Sequence, residues 1–319
     1  MIVLRFDTAT IARTRLAVSP IIEALVWLEL TVHGRRHPVF GDPGPRARGA
    51  LGHPDVALLA ELQPPGGSGY TADLLTPQPR RVPPEDLLEA QLADLEATSQ
   101  HEVERQVITY AEAHWGQPVP RRVRSLAESG QLPRRAAAGL ARFWRETLAE
   151  DWPTLRDALD EDLARRARTM ATHGVGRLLG TLHPQLTWTG GSLLVDKPYA
   201  EERDVRDRDV VVAASLFTWP QAMVQVDDPD QLVIYYPATG IGDDRSPSRL
   251  AEVFGATRAQ LLADLDSGRS TSELATRHDL SPATVSYHLR ALHRARLVVR
   301  NRDGRRVLYQ RSSQAEALL

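Results

Sequence analysis

Apolar positions along this chain change their spacing twice, and the changes divide it. Over residues 133–180 they recur every three or four residues, as Leu140, Phe143, Trp144 and Leu148, then after Trp152-Pro153 as Leu155, Leu159, Leu163 and Ala167. That spacing lays one apolar stripe along each of two helices. Asp151 is placed to cap the second helix, with Pro153 near its start. An earlier helix is predicted after Ser19-Pro20, with Ile21, Ile22, Leu25, Val26, Leu28 and Leu30 as its apolar set, and Ile2–Phe6 before it reads as extended. Short helices are predicted over 51–95 between the breakers PPGGSGY and PQPRRVPP, and a helical pattern resumes from Glu85 to about His114.

Near residue 183 the period shortens. LTWTGGSLLVD, DVVVAASLF, PQAMVQVD and QLVIYYP are rich in β-branched and aromatic residues and are separated by turns. They predict an antiparallel sheet of four or five strands. TGIGDDRSPS reads as a linker, and helical spacing returns beyond it. The expected fold class is α+β. A mostly helical part (1–182) and a sheet (183–240) form an N-terminal region over 1–245, and a second domain covers 249–319.

The second domain has its own grammar. A first helix is expected from a Thr257 cap to Leu265, with Leu261, Leu262 and Leu265 inward. Thr271 or Ser272 caps a second helix, which buries Leu274 and Ala275. After Leu280, Ser281-Pro282 opens a third, since serine accepts free backbone N–H groups and proline has none to waste. Val285, Leu289 and Leu292 share its inner face. Ala283, Thr284, Ser286, Tyr287 and Arg290 fall on the other side or at its edges. Strands Val298–Asn301 and Arg305–Gln310 flank Arg302-Asp303-Gly304, whose Asp-Gly pair favours a hairpin. This is the layout of a winged helix-turn-helix. Short polar residues at the start of its third helix permit approach to a major-groove floor, and arginines on the wing suit phosphates. The expected DNA-binding residues are Ser281, Ala283, Thr284, Ser286, Tyr287, Arg290, Arg300, Arg302, Arg305 and Arg306.

Charge sharpens this reading. The chain has a formal net charge of -2, but residues 249–319 hold 12 arginines against 7 acidic residues, and positions 1–248 hold 27 basic against 34 acidic. A local basic cluster on an acidic protein suits a focused phosphate contact. The absence of cysteine excludes disulfides, thiolate metal sites and thiol catalysis. No apolar run approaches the length of a membrane span, and the opening residues do not form a signal peptide, so a cytoplasmic protein is expected.

The stretch STSELATRHDLSPATVSYHLRALHRARLVVRNRDGRRVLYQRS resembles the ArsR/SmtB-like family of bacterial transcription regulators, most closely at SELA, LSPATVSYHLRAL, Leu297 and DGRRVLYQ. The segments SPIIEALVWL, LTP at 75–77, LHPQLTWTGGSLLVD, SLFTWP and VIYYPATG resemble an N-terminal region of long actinobacterial members. The resemblance implies a homodimer on a palindromic double-stranded operator, acting as a repressor that a ligand releases. It does not imply metal sensing here. The thiolate site is impossible without cysteine, and the tail SSQAEALL offers only Glu316.

No metal or cofactor is expected. His33 and His37 are separated by Gly34 and followed by Pro38, against a regular helix, and GVGRLLG at 174–180 lies at a helix end rather than after a strand. Trp188, Phe217, Trp219 and Tyr235 are candidates to line an apolar pocket for a small-molecule effector, with core packing the competing explanation. Two alternatives stay open: an interaction scaffold with an inert winged helix, and an enzyme fused to a DNA module, for which no catalytic set is visible.

Overall fold

The structure is a computed structural model describing residues 1–67, 69–197, 200–239, 255–265, 268–278, 280–303, 306–312 and 315, with the backbone alone at 256, 301–303 and 306. The chain divides into two compact units, Met1–Thr239 and Gly240–Leu319.

The first unit is mixed α and β. Its strands are β1 (Ile2–Arg5), β2 (Thr14–Val18), β3 (Leu186–Trp188), β4 (Ser192–Val195), β5 (Glu201–Asp204), β6 (Asp209–Ser215), β7 (Met223–Gln225) and β8 (Gln231–Pro237). They form two four-stranded sheets, ordered β3-β4-β1-β5 and β2-β6-β8-β7. The single antiparallel sheet expected over 183–240 is therefore corrected. β2, β6 and β8 run parallel, β1 pairs parallel with β5 and lies between β4 and β5, and β2 forms the edge beside β6.

Parallel pairing explains why β6 and β8 read as nearly unbroken apolar runs, because both faces are covered. Toward one side Val211, Ala213, Val233 and Tyr235 pack with Ile22 of helix α2 (Pro20–Val32). On the other, Tyr236 donates its hydroxyl hydrogen to Asp162 of the long helix α10 (Trp152–Leu179) at 2.7 Å. Ser19 caps α2 as expected, accepting the N–H of Ile22 at 3.3 Å. Asp151 occupies the cap position of α10, yet its side chain makes no capping bond.

Between α2 and α10 come α3 (Gly44–Ala50), α4 (Pro54–Glu61), α5 (Leu87–Glu96), α6 (Gln100–Val103), α7 (Ala111–Trp115), α8 (Arg121–Glu128) and α9 (Leu132–Thr147). Helix α9 is the hub, touching α2, α3, α4, α5 and α8. It buries Leu140, Phe143 and Trp144 of the predicted stripe. Among the described residues no helix is long and apolar enough to cross a membrane.

The second unit contains α11 (Ala256–Ala263), β9 (Arg269–Ser270), α12 (Thr271–Arg277), α13 (Pro282–Arg294), β10 (Val298–Asp303) and β11 (Arg306–Arg311). Its core joins Leu261, Leu262, Leu265, Leu274, Ala275, Val285, Leu289, Leu292 and Leu297, the inward leucines of the sequence pattern among them. Two expected caps shift. Gly255 rather than Thr257 precedes α11, and α12 is capped by Ser270 rather than Thr271 or Ser272. There Ser270 and Glu273 form a reciprocal capping box, satisfying two backbone donors at once. The shift has a cause. Arg269 and Ser270 pair with Tyr309 and Leu308 as a third strand, so the helix starts where that pairing ends.

Candidate nucleic-acid interface

Helix α13 is presented by three local devices. At its start Ser281 accepts the N–H of Thr284 at 3.1 Å, and Pro282 occupies the first turn. At its end Arg296 adopts a left-handed φ of 61°. The N–H groups of Arg296 and Leu297 then close on the carbonyls of His293 and Leu292 at 3.0 and 2.9 Å. That is a Schellman stop, and the buried Leu297 is its hydrophobic anchor, which fixes the direction in which β10 leaves.

The third device is Asp264, just after α11. Its carboxylate accepts two bonds from Arg277 at 2.7 and 2.8 Å, lies 3.4 Å from Arg269 and 3.0 Å from His278. Burial works against the charge, but the Arg277 hydrogen bond and the charges of Arg269 and Arg277 prevail and hold Asp264 below its ordinary pKa. One carboxylate thus fastens the first helix to β9 and to the turn before the reading helix.

These devices leave a polar face outward. Ser281, Ala283 and Arg290 are exposed, Thr284 and Ser286 are half-buried, and Tyr287 stands 59% exposed. The Arg290 guanidinium is steadied by a 3.2 Å bond to the Ser286 carbonyl. Tyr287, Arg290, His293, Arg294, Arg300 and Tyr309 line a shared groove of about 370 Å³. The fold therefore brings Tyr287 and Arg290 of the helix together with Arg300 of the wing. His293, Arg294 and Tyr309 were missed in the sequence reading. Two of them sit one turn beyond Arg290 on the same helix face, a signal that the 3.6 period contains. Tyr309 enters through register, being paired with Arg300 across the hairpin. The side chains of Arg302 and Arg306, and all of Arg305, lie outside the described residues.

His288, beside the exposed Tyr287 at a ring separation of 5.3 Å, faces inward enough for burial and the nearby Arg258 to lower its pKa. A largely neutral imidazole here adds shape to the helix edge rather than charge.

The four aromatic pocket candidates fall in three separate packing environments, and none of them lines the acidic cleft or the groove of the reading helix. Trp188 packs on the last turns of α10, where a Cβ at Gly176 would lie 2.6 Å from its Nε1, and meets Phe6 edge-on at 5.3 Å. Phe217 stacks on Trp27 at 4.5 Å and meets Phe40 at 5.0 Å, with Trp219 nearby at 6.3 Å from His37. Tyr235 is buried against α2. Phe217 and Tyr235 are thus buried in protein contacts, while Trp188 and Trp219 stay partly exposed. Of the GVGRLLG glycines, Gly176 and Gly180 serve Trp188, being the surface on which that indole rests.

Comparison with known proteins agrees with this geometry. Residues 256–301 match the family model of a helix-turn-helix domain, and residues 140–242 match that of a family of unknown function (DUF5937). No curated protein matches the chain, and no solved structure does. The fold, the outward polar helix face and the matched domain define a helix-turn-helix transcription regulator that binds DNA.

Proposed function

We propose that the protein is a cytoplasmic, homodimeric repressor of the ArsR/SmtB-like type, without enzymatic activity of its own and released from its operator by a small non-metal ligand. The observation that carries the DNA-reading part is the common groove of Tyr287, Arg290 and Arg300, which joins helix and wing in one surface. In this reading α13 enters the major groove by its N-terminal half. Ser281, Ala283, Thr284 and Ser286 allow close approach, and Arg290 reaches a guanine edge. Arg300, with Arg302, Arg305 and Arg306, meets phosphates beside it.

The test is selection of genomic fragments by the purified protein, including the DNA upstream of its own gene, over several salt concentrations. Recovery of a palindromic site supports the reading, whereas unselective or absent binding at every salt concentration overturns it. Arg290→Ala is expected to weaken the selected site by about 1–3 kcal/mol and relax one base position. Arg300→Ala is expected to weaken all sequences alike and flatten the salt dependence by about one phosphate contact.

A further inference from the structure

The first unit holds a polar cleft of about 1020 Å³, lined by the 73–82 segment, by α5 and α6, and by Gln225 to Gln231. Six carboxylates line it (Asp73, Asp94, Glu102, Asp209, Asp227 and Asp228) against four guanidiniums. The guanidiniums are committed. Arg80 pairs with Asp94, Arg105 with Glu102, and Arg81 lies 3.5 Å from Asp209, while Arg15 donates to the Pro79 carbonyl. Two more carboxylates are also served: Asp227 by Arg203 at 3.3 Å, and Asp228 by Gln78 at 3.2 Å and by the N–H groups of Asp230 and Gln231.

Asp73 is the exception. Among the described residues no arginine, lysine or histidine comes within ion-pairing distance of it. Burial first, and the charge of Asp227 second, push its carboxyl up to about 7, with Arg105 and a hydrogen bond from the Gln225 side chain opposing. Beside it Gln225 is only 8% exposed, and its amide oxygen accepts no hydrogen bond, while its nitrogen donates to the Asp73 carbonyl at 3.4 Å. The Tyr70 hydroxyl is also buried, beside the Asp73 backbone N–H; burial and then the charges of Asp73 and Asp227 raise its pKa, so it stays a neutral phenol.

A half-buried carboxylate lacking a cation and a buried amide oxygen lacking a donor are both costly as they stand. A primary ammonium, with three donors and no acceptor, relieves both at once. An anion would have to enter among six carboxylates, with every guanidinium except Arg15 already paired to one, and a neutral polyol leaves the charge uncompensated. We propose that this cleft binds a small primary-amine ligand, its ammonium set between Asp73 and Asp227 and donating to Gln225 Oε1. The proposal names the ligand class for the regulator reading given above and rests on that reading for its biological role alone.

The test uses the full chain without DNA, so it stands or falls separately from operator binding. Putrescine and spermidine are titrated calorimetrically at about pH 8, where Asp73 is charged and the amines remain protonated, against 1,4-butanediol and 1,8-octanediol as neutral counterparts. At least one amine is expected to bind, at least about ten-fold more tightly than its neutral counterpart, and to raise the unfolding temperature. Asp73→Asn is expected to lose that preference while melting no lower than the parent, because it removes a half-buried charge that has no ion-pair partner. Asp227→Asn, at a half-buried position, serves as the deciding variant if Asp73→Asn misfolds. No amine binding at about 10 mM, equal binding of the neutral compounds, or an unaltered preference in the folded variant overturns the proposal.

Discussion

At the scale of single residues, the most consequential group outside both sites is Glu23. Its two carboxylate oxygens accept the N–H groups of Leu216 at 2.9 Å and Phe217 at 3.0 Å, turning the chain where it leaves β6. Burial nevertheless outweighs those bonds and pushes its carboxyl up from 4.5 to about 7. A carboxyl raised in the folded state holds its proton more tightly there than in the unfolded chain. Its cost is absent below the unfolded value, grows as pH rises through the window from 4.5 to about 7, and is fully present above it. The full cost is on the order of 3 kcal/mol. Glu23→Gln removes the titration, although it also forfeits one backbone bond. The stability of the parent relative to this variant should therefore fall between about pH 5 and pH 8 in parallel urea titrations. A relative stability that rises over that interval would mean that the two N–H donors outweigh burial. Sequence pattern found the Ser19 and Ser281 caps because each stands directly before a proline. It could not separate Ser270 from Thr271 and Ser272, three adjacent hydroxyl residues equally suited to capping, and only the pairing of β9 with β11 chooses among them.

At the scale of elements, one close approach in the first unit depends on a residue without a side chain. Helix α9 crosses α4 at Gly139, where a Cβ would stand 2.8 Å from the carbonyl carbon of Asp55 and closer still to its oxygen. Arg135, one turn earlier on α9, pairs with the Asp55 carboxylate, so backbone and side chain bind the same residue of α4. Alanine is the better helix former by about 1 kcal/mol, so propensity alone predicts that Gly139→Ala stabilises. The contact predicts the reverse, a loss of about 1–3 kcal/mol from forced separation of the helices. Chemical denaturation decides the sign, and a stabilised variant would refute the crossing. The helices themselves were legible, α2 from its Ser-Pro start and α9 and α10 from three-and-four spacing, although of the α10 stripe only Leu159 is fully buried. The strand directions were not. A fully buried parallel strand and a short antiparallel core strand have the same apolar composition, and nothing local in DVVVAAS announces that Thr14–Val18 lies alongside it. Asp162 was hidden for a related reason. It reads as one more acid on a charged helix, yet it is buried beneath Tyr236 and also accepts the Thr239 N–H at 2.9 Å.

At the scale of the whole molecule, what could be read from sequence was what is contiguous in it. The arginine-rich final quarter and its helix-turn-helix spacing lie within one short stretch. The acidic cleft is assembled from residues 73, 102, 225 and 227, which no window of sequence places together. The same limit applies to assembly, where the proposed homodimer makes a geometric demand that a monomeric reader does not. Two copies of α13 related by a two-fold axis must reach successive major grooves on one side of the duplex, so half-site centres should lie about 10–10.5 base pairs apart, or a multiple of that. Inserting about five base pairs at the centre of the selected operator turns one half-site to the opposite face. A dimer then engages one reading helix and loses the second set of contacts, whereas insertion of about ten restores the facing. Binding by full-length protein is therefore expected to fall by about 100-fold or more with the half-turn insertion and to recover in part with the full turn. Equal affinity for all three spacings would show that each unit reads its half-site alone, and would remove the homodimer from the proposed function while leaving DNA recognition by α13 in place.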